Sequence, residues 1–309
     1  MTAQLGDESP IEECLQHCHP PLPWIFEYAA IIENEDPAEM YTDPGVLARS
    51  LAGCAELFGL PAVTTSFDTT LEAEAMGCRI DESGSVTGCI SSFEEAIAID
   101  PEDVLSHDRI ACVLDAIERL IGSITGTSVL GALTGPQCLV EHVLTGDVDE
   151  ETTEEAWFVA NDVQMDLANA YLDRGVDGLV VLEPDGPQET ITYEDAIVPL
   201  QNLAEHFGIP TILVQEGVTE ADIEQASAYG FDAICGSTTD PTSAAMVAEN
   251  RDIVLGVGLS DKVFIGGGVN KALTDLPEGT IPTSTWKVPI SASVEALHTL
   301  MGSHAGGMH

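Results

Sequence analysis

The stretch GIPTILVQEGVTEADIEQASAYGFDAICGS, residues 208–237, contains the pattern that decides the fold. Two short apolar runs, 210–217 and 232–237, predict strands, and the amphipathic stretch 219–230 between them predicts a helix. Strands that are apolar throughout are typical of a parallel sheet with both faces covered. This unit therefore predicts two parallel strands joined by a crossover helix.

The same alternation continues on both sides of this unit. Further strands are predicted at 61–67, 127–135, 177–184, 252–258 and 262–268, with 285–290 as an eighth. Further helices are predicted at 43–59, 107–122, 152–175, 192–208 and 241–250. This succession predicts a single-domain (β/α)8 TIM-type barrel of the α/β class. We divide the chain into an irregular N-terminal lead-in (1–40), the barrel (41–303) with a hairpin insertion at 78–90, and a flexible tail (304–309).

The charge balance is extreme, because 53 Asp and Glu residues face 9 Lys and Arg residues, for a net charge of -44. Acids spread over the whole chain predict a protein adapted to concentrated salt, where counterions screen the repulsion; a generic acidic protein is the alternative. Without clustered Lys and Arg, binding to nucleic acids or anionic membranes is excluded. No apolar run of about 20 residues and no signal peptide is present, so we expect a cytoplasmic protein.

In such a barrel, polar residues that follow the strands meet at the carboxyl-terminal mouth. Asp68, Glu183 and Glu216 occupy these positions, and we assign them catalytic roles. Crowded carboxylates raise one another's pKa or bind a cation, and solvated loop acids are the alternative interpretation. The candidates for substrate binding are Phe67, Gly135, Pro136, Gln215, Cys235, Gly267 and Asn270.

Five segments resemble those of one family, the uroporphyrinogen decarboxylase superfamily, in order and spacing. They are FDTTLEAEAMGC (67–78), GALTGPQCLVEHVLTG (131–146), YLDRGVDGLVVLEP (171–184), GIPTILVQEG (208–217) and DKVFIGGGVN (261–270). The resemblance extends from about residue 40 to residue 300. It implies a barrel that acts in tetrapyrrole or corrinoid metabolism.

The resemblance leaves three functions open. The first is a methyltransferase-like member linked to corrinoid or tetrapyrrole metabolism, with a diverged metal site. The second is a uroporphyrinogen III decarboxylase that acts on the tetrapyrrole carboxylates and needs no cofactor, with Asp68 at the pyrrole NH groups. The third is a non-catalytic or repurposed barrel that binds a small molecule.

Departures from the family pattern bear on the first two functions. The zinc-binding His-x-Cys of the methyltransferases falls on Val214 and Glu216, which leaves Glu216 and Cys235 as the metal candidates. The decarboxylases hold their substrate with N-terminal arginines, whereas residues 1–48 here contain no Lys or Arg. The partners implied are a small-molecule substrate and, for methyl transfer, a corrinoid protein. Family members often pair, so a homodimer is left open.

Overall fold

A parallel sheet forms the centre of the molecule, in a computed structural model that describes residues 9–81, 84–187 and 191–302. Its strands are β1 (Ala62–Thr64), β4 (Ser128–Thr134), β5 (Gly178–Leu182), β6 (Thr211–Gly217), β7 (Ala233–Ser237), β8 (Val254–Leu259) and β9 (Thr280–Ser284). They follow the order β1-β4-β5-β6-β7-β8-β9, and every neighbouring pair is parallel. A separate antiparallel pair, β2 (Arg79–Ile80) and β3 (Val86–Thr87), forms the predicted hairpin.

Helices pack against the curled sheet. The helices before β4 are α1 (Pro10–His17), α2 (Glu27–Glu33), α3 (Pro44–Phe58), α4 (Leu71–Ala75), α5 (Phe93–Ala96), α6 (Pro101–Leu105) and α7 (Asp108–Ile121). Those after it are α8 (Pro136–Val143), α9 (Glu150–Asp173), α10 (Ile191–Phe207), α11 (Glu220–Ala228), α12 (Pro241–Arg251), α13 (Asp261–Gly266), α14 (Val269–Thr274) and α15 (Val294–Gly302). A 3-10 helix spans Pro37–Tyr41.

The predicted helix signals explain where several of these helices begin and end. The Asp43 carboxylate accepts the backbone N–H groups of Gly45 and Val46 at the start of α3, and Gly59 ends that helix with a φ of 64°. Thr219 and Asp222 form a reciprocal capping box at the start of α11. Such caps satisfy backbone N–H groups that have no partner inside the helix.

The prediction of the barrel class is confirmed, and two of its predicted strands are wrong. Residues 262–268 form helix α13 and the turn after it, and the last strand lies at Thr280–Ser284, before 285–290. In place of an eighth strand, the lead-in lies beside β9, the last strand of the sheet. Leu22 forms a single parallel bridge with Thr283, and its backbone N–H donates to the Pro282 carbonyl at 2.9 Å.

The lead-in, which we expected to be irregular, forms helices and packs into the core. Helix α1 lies at the amino-terminal end of the sheet, because the Ile11 N–H donates to the Ser128 hydroxyl at the start of β4, at 3.0 Å. Trp24 follows Leu22 along the edge of β9, and the Trp24 backbone N–H donates to the Ser284 hydroxyl at 3.0 Å. The predicted tail, 304–309, and Ser83 of the hairpin turn lie outside the described residues.

Candidate functional site

An ion-paired cluster lies where β1 ends. Asp68 forms a salt bridge with Arg109, at the start of α7, and Arg109 also pairs with Glu74 in α4. The side chains of Asp68 and Arg109 are only 16% and 17% exposed. Thr70 donates to the Asp68 carboxylate from its backbone N–H at 2.9 Å and from its hydroxyl at 2.8 Å. The Asp68 carboxylate is therefore held by a charged donor, the Arg109 guanidinium, and by two neutral donors of Thr70.

These contacts set the charge of Asp68. Burial opposes ionisation and is the largest influence, but the Arg109 guanidinium and the Thr70 donors together outweigh it. The pKa of Asp68 is therefore lowered from its ordinary value. An Asp with a lowered pKa is ionised at neutral pH, so it accepts hydrogen bonds well and is a weak base.

The ion-paired cluster continues into the lead-in and to the segment after β9. The Arg109 guanidinium lies 5.2 Å from the centre of the Tyr41 ring. Tyr41 donates its hydroxyl to Glu27 at 2.6 Å, and Glu27 pairs with Lys287. Three segments far apart in the sequence thus meet in one polar network, which the sequence did not indicate.

An aromatic wall stands beside this network. The Phe67 ring is 5.9 Å from the Trp24 ring and packs edge-on against Trp286 at 4.9 Å. Phe67 and Trp24 are buried, while Trp286 is partly exposed. Phe67, predicted to bind substrate, is therefore buried within this wall, and Trp286 is the partly exposed member of the three.

A second carboxylate, Glu72, is fully buried close to Asp68 in sequence. It accepts the backbone N–H of Thr134 at 2.7 Å and the Thr134 hydroxyl, at the carboxyl end of β4. Burial raises the pKa of Glu72, and these hydrogen bonds oppose the rise in part. Glu72 was missed because it entered the sequence analysis only within the segment FDTTLEAEAMGC, where no local pattern distinguishes it from Glu74.

Glu183 follows β5 and lies at the amino-terminal end of α8. Its carboxylate accepts the backbone N–H groups of Cys138 at 2.7 Å and of Gln137 at 3.3 Å. Gly135 makes room for it, since a Cβ on Gly135 would lie 2.1 Å from a Glu183 carboxylate oxygen. Burial raises the pKa of Glu183 to about 8, against the two N–H donors. Glu183 thus serves as the cap of a neighbouring helix, and Pro136 is the first residue of that helix.

The other predicted residues are spread over several places. Glu216 is exposed near the end of β6, where its carbonyl accepts the Ser237 hydroxyl at 2.6 Å. Gln215 is fully buried, and neither polar atom of its side chain has a partner among the described residues. Cys235 is buried inside the sheet against Gly256. Gly267 and Asn270 lie on the surface around the α13–α14 turn.

Three cavities of the protein lie away from the ion-paired cluster. Gly267 and Asn270 line one of about 370 Å³. Two larger cavities, of about 940 and 800 Å³, lie beside Arg119 and beside Gln201. We rank the cluster above them as a candidate site, because it combines converging polar groups, perturbed pKa values and the strand ends of a parallel sheet.

The donor set does not fit a zinc site of the His-x-Cys type. Val214 is a buried hydrocarbon side chain, and such a side chain cannot ligate a metal. Over residues 9–81, 84–187 and 191–302, no three His, Cys, Asp or Glu side chains converge as metal ligands. Within the described part of the chain, neither Glu216 nor Cys235 belongs to a group of three possible metal ligands.

The comparisons with known proteins point in one direction. The family model described as "Uroporphyrinogen decarboxylase (URO-D)" matches residues 20–173. "Methylcobamide:CoM methyltransferase MtaA" of Methanosarcina barkeri is 25% identical over 257 residues, 77% of this chain and 73% of that protein. "Methylcobamide:CoM methyltransferase MtbA" of Methanosarcina acetivorans is 24% identical over 280 residues, 83% of this chain and 74% of that protein.

A solved structure supports the fold. A methyltransferase from Methanosarcina mazei superposes with a TM-score of 0.76 at 20% identity, over 97% of this chain and 99% of that one. No helix among the described residues is long and apolar enough to cross a membrane. The match to the family model, the similarity to the two methyltransferases and the shared fold show that the chain belongs to the uroporphyrinogen decarboxylase superfamily.

Proposed function

We propose that this chain transfers a methyl group between a corrinoid and a small-molecule acceptor, at the ion-paired cluster around Asp68. The relatives named above as methylcobamide:CoM methyltransferases support the reaction class. The observation that carries the choice of this class over a decarboxylase is the pairing of the basic groups at the cluster. Arg109 is engaged by two carboxylates and Lys287 by one.

The charge of the cluster argues against a polyanionic substrate. Asp68, Glu74 and Glu27 outnumber Arg109 and Lys287, so their summed formal charge is negative. Uroporphyrinogen carries many carboxylates, and binding it requires guanidinium groups that are free to pair with them. Opening the existing ion pairs would cost the energy that a new pair gains. An acceptor with few negative charges fits this cluster better.

Two carboxyl groups whose pKa values are shifted in opposite directions lie near the strand ends. Asp68 is ionised at neutral pH because its pKa is lowered, while the pKa of the buried Glu72 is raised. Environments that move neighbouring pKa values apart are typical of acid and base groups in enzymes. In the proposed reaction, Asp68 binds and orients a hydrogen-bond donor of the acceptor. The corrinoid, as substrate, supplies the methyl group.

The test uses methylcobalamin as donor and small thiols, including 2-mercaptoethanesulfonate, as acceptors. Demethylation of the corrinoid is followed by its absorbance, with and without the protein. We expect activity in the wild type, loss of at least about a hundredfold in Asp68→Asn, and full activity in Asp115→Asn. Asp115 is the matched control, since it lies exposed on the same helix as Arg109.

Equal activity of the Asp68 variant and the wild type would refute the assigned role. Absence of corrinoid demethylation, together with conversion of uroporphyrinogen, would favour the decarboxylase alternative. Absence of both, with saturable binding of a corrinoid, would favour a binding barrel. Elemental analysis of the wild type and of Glu216→Gln completes the test, because stoichiometric zinc lost in the variant would show that a rebuilt metal site exists.

A further inference from the structure

Two cysteines lie at the two ends of the hairpin insertion. The Sγ atoms of Cys78 and Cys89 are 3.2 Å apart, on either side of strands β2 and β3. Both are free thiols in the structure. A disulfide joins sulfurs about 2.05 Å apart, so a shift of about an ångström would bring these atoms to bonding distance.

Each cysteine is held in place by a different part of the barrel. The Cys78 N–H donates to the Ala73 carbonyl in α4 at 3.0 Å. The N–H groups of Cys89 and Ile90 both donate to the Val143 carbonyl at the end of α8, at 2.9 Å each. The close approach of the two thiols is therefore built by the backbone of α4 and α8, and does not depend on the hairpin turn alone.

A glycine makes this second anchor possible. A Cβ on Gly88 would lie 2.4 Å from the Leu144 carbonyl oxygen and 2.6 Å from that of Val143. Backbone atoms cannot move aside for a side chain in the way that a flexible side chain does. Residue 88 must therefore be a glycine for the chain to reach α8 and to direct the Cys89 sulfur toward Cys78.

The two thiols differ in accessibility and in their proton affinity. Cys89 is partly exposed, whereas Cys78 is buried. The Cys78 thiol donates to the Cys89 sulfur, and this contact lowers the pKa of Cys89 against the effect of burial. The same contact, followed by burial, raises the pKa of Cys78. Cys89 is therefore the attacking thiol of the pair, since the thiolate is the nucleophile.

We propose that Cys78 and Cys89 form a redox-active dithiol, which closes to a disulfide by exchange with a low-molecular-weight disulfide. The Cys89 thiolate attacks one sulfur of the reagent, which releases one reagent thiolate and leaves a mixed disulfide on Cys89. Cys78 then loses its proton to solvent and attacks the Cys89 sulfur, and the second reagent thiolate leaves. One reagent disulfide is reduced to two thiols, and the two protein thiols are oxidised.

Closure of this bond would tie α4 to the end of α8. Helix α4 carries Glu72 and Glu74, which contact Thr134 and Arg109 in the candidate site. The modification site thus adjoins the ion-paired cluster through one short helix. This inference rests on the thiol pair and its surroundings and is independent of the proposed methyl transfer.

The experiment exposes the reduced full-length chain to oxidised glutathione at pH 8 and follows the intact mass. The wild type should lose the mass of two hydrogen atoms, and peptide mapping should join Cys78 to Cys89. Cys78→Ser lacks the resolving thiol, so it should retain one glutathione on Cys89. Cys89→Ser should react at least about tenfold more slowly at this site. Cys18→Ser removes another partly exposed thiol as a matched control and should behave as the wild type.

Three results would overturn the proposal. One is a wild type that keeps glutathione on Cys89 without closing the bond. Another is closure that involves a different cysteine in the peptide map. The third is an unreactive Cys89 in folded Cys78→Ser, with folding verified by its circular dichroism spectrum.

Discussion

The free energy of unfolding of Glu183→Gln, relative to that of the wild type, should increase as the pH rises. The folded state raises the pKa of Glu183 from 4.5 to about 8. Each unit of difference is worth about 1.4 kcal/mol, so ionisation of this group costs the folded state about 5 kcal/mol in full. Between these two pKa values the unfolded chain is ionised and the folded chain holds a proton. Stability therefore falls as the pH rises through this window.

The amide introduced by Glu183→Gln stays neutral and has one oxygen, which can accept the Cys138 N–H, while its NH2 group faces the Gln137 N–H that Oε2 accepts at 3.3 Å in the wild type. The variant therefore loses one hydrogen bond at every pH but avoids the cost of ionisation. The stability difference between Glu183→Gln and the wild type should grow by about 3 kcal/mol from pH 5 to pH 8. Urea unfolding at matched salt measures it, since subtraction of the two curves cancels the titration of the other carboxylates. Glu154→Gln, on the exposed face of α9, is the control and should show a flat difference. A difference for Glu183→Gln that changes by less than about 0.5 kcal/mol over this range would refute the account of its burial.

Three further predictions concern the ion-paired cluster, the sheet and the surface. Asp68→Asn should lower the free energy of unfolding by about 2 to 4 kcal/mol at pH 7. Because the pKa of Asp68 is lowered in the folded state, this loss should shrink as the pH falls below about 4; a loss that is constant with pH in urea unfolding would contradict it. Gly131→Ala should cost about 1 to 3 kcal/mol by overpacking, since its Cβ would lie 2.5 Å from the Tyr171 ring, whereas Gly122→Ala, with 3.4 Å to its nearest neighbour, should be tolerated. Comparable melting temperatures for the two glycine variants would contradict this reasoning. With a net charge of -44, the melting temperature should rise as NaCl shortens the screening length from about 10 Å at 0.1 M to about 3 Å at 1 M; a constant or falling value would argue against the proposed salt adaptation.

The sequence predicted the barrel class well because its signals are local. Short apolar runs such as 210–217 are bounded by glycines, and this combination distinguishes the strands from the longer amphipathic helices. The run 262–268 was assigned wrongly because short apolar runs suit both states. Ser260 and Asp261, which stand just before this run, are helix-start signals. The run forms most of helix α13, in which Phe264 is the buried residue.

The last strand was missed for a different reason. Residues 280–284 contain Pro282, which argues against a central strand. In the fold, β9 is the last strand of the ladder, where the missing N–H of a proline is tolerated, and the Pro282 carbonyl accepts a hydrogen bond from Leu22. This tolerance depends on the neighbour that the strand acquires in three dimensions, which no local pattern encodes.

The candidate site was predicted only in part. The position of Asp68 follows from its place after β1. Its partner Arg109 and the network through Tyr41, Glu27 and Lys287 join residues that are remote in sequence. Glu183 was expected at the mouth, and in the structure its carboxylate caps the amino-terminal end of α8. A strand position predicts which end of the sheet a residue occupies, but the direction of its side chain depends on the neighbouring helices.

The bridge between Leu22 and Thr283 has a consequence for biosynthesis. During translation, the segment around Trp24 leaves the ribosome long before its partner Ser284, 260 residues later. The early segment must wait, with its aromatic side chains uncovered, until β9 has been made. Contacts of such long range slow folding. We therefore expect the incomplete nascent chain to be the stage at which this protein is most exposed to aggregation.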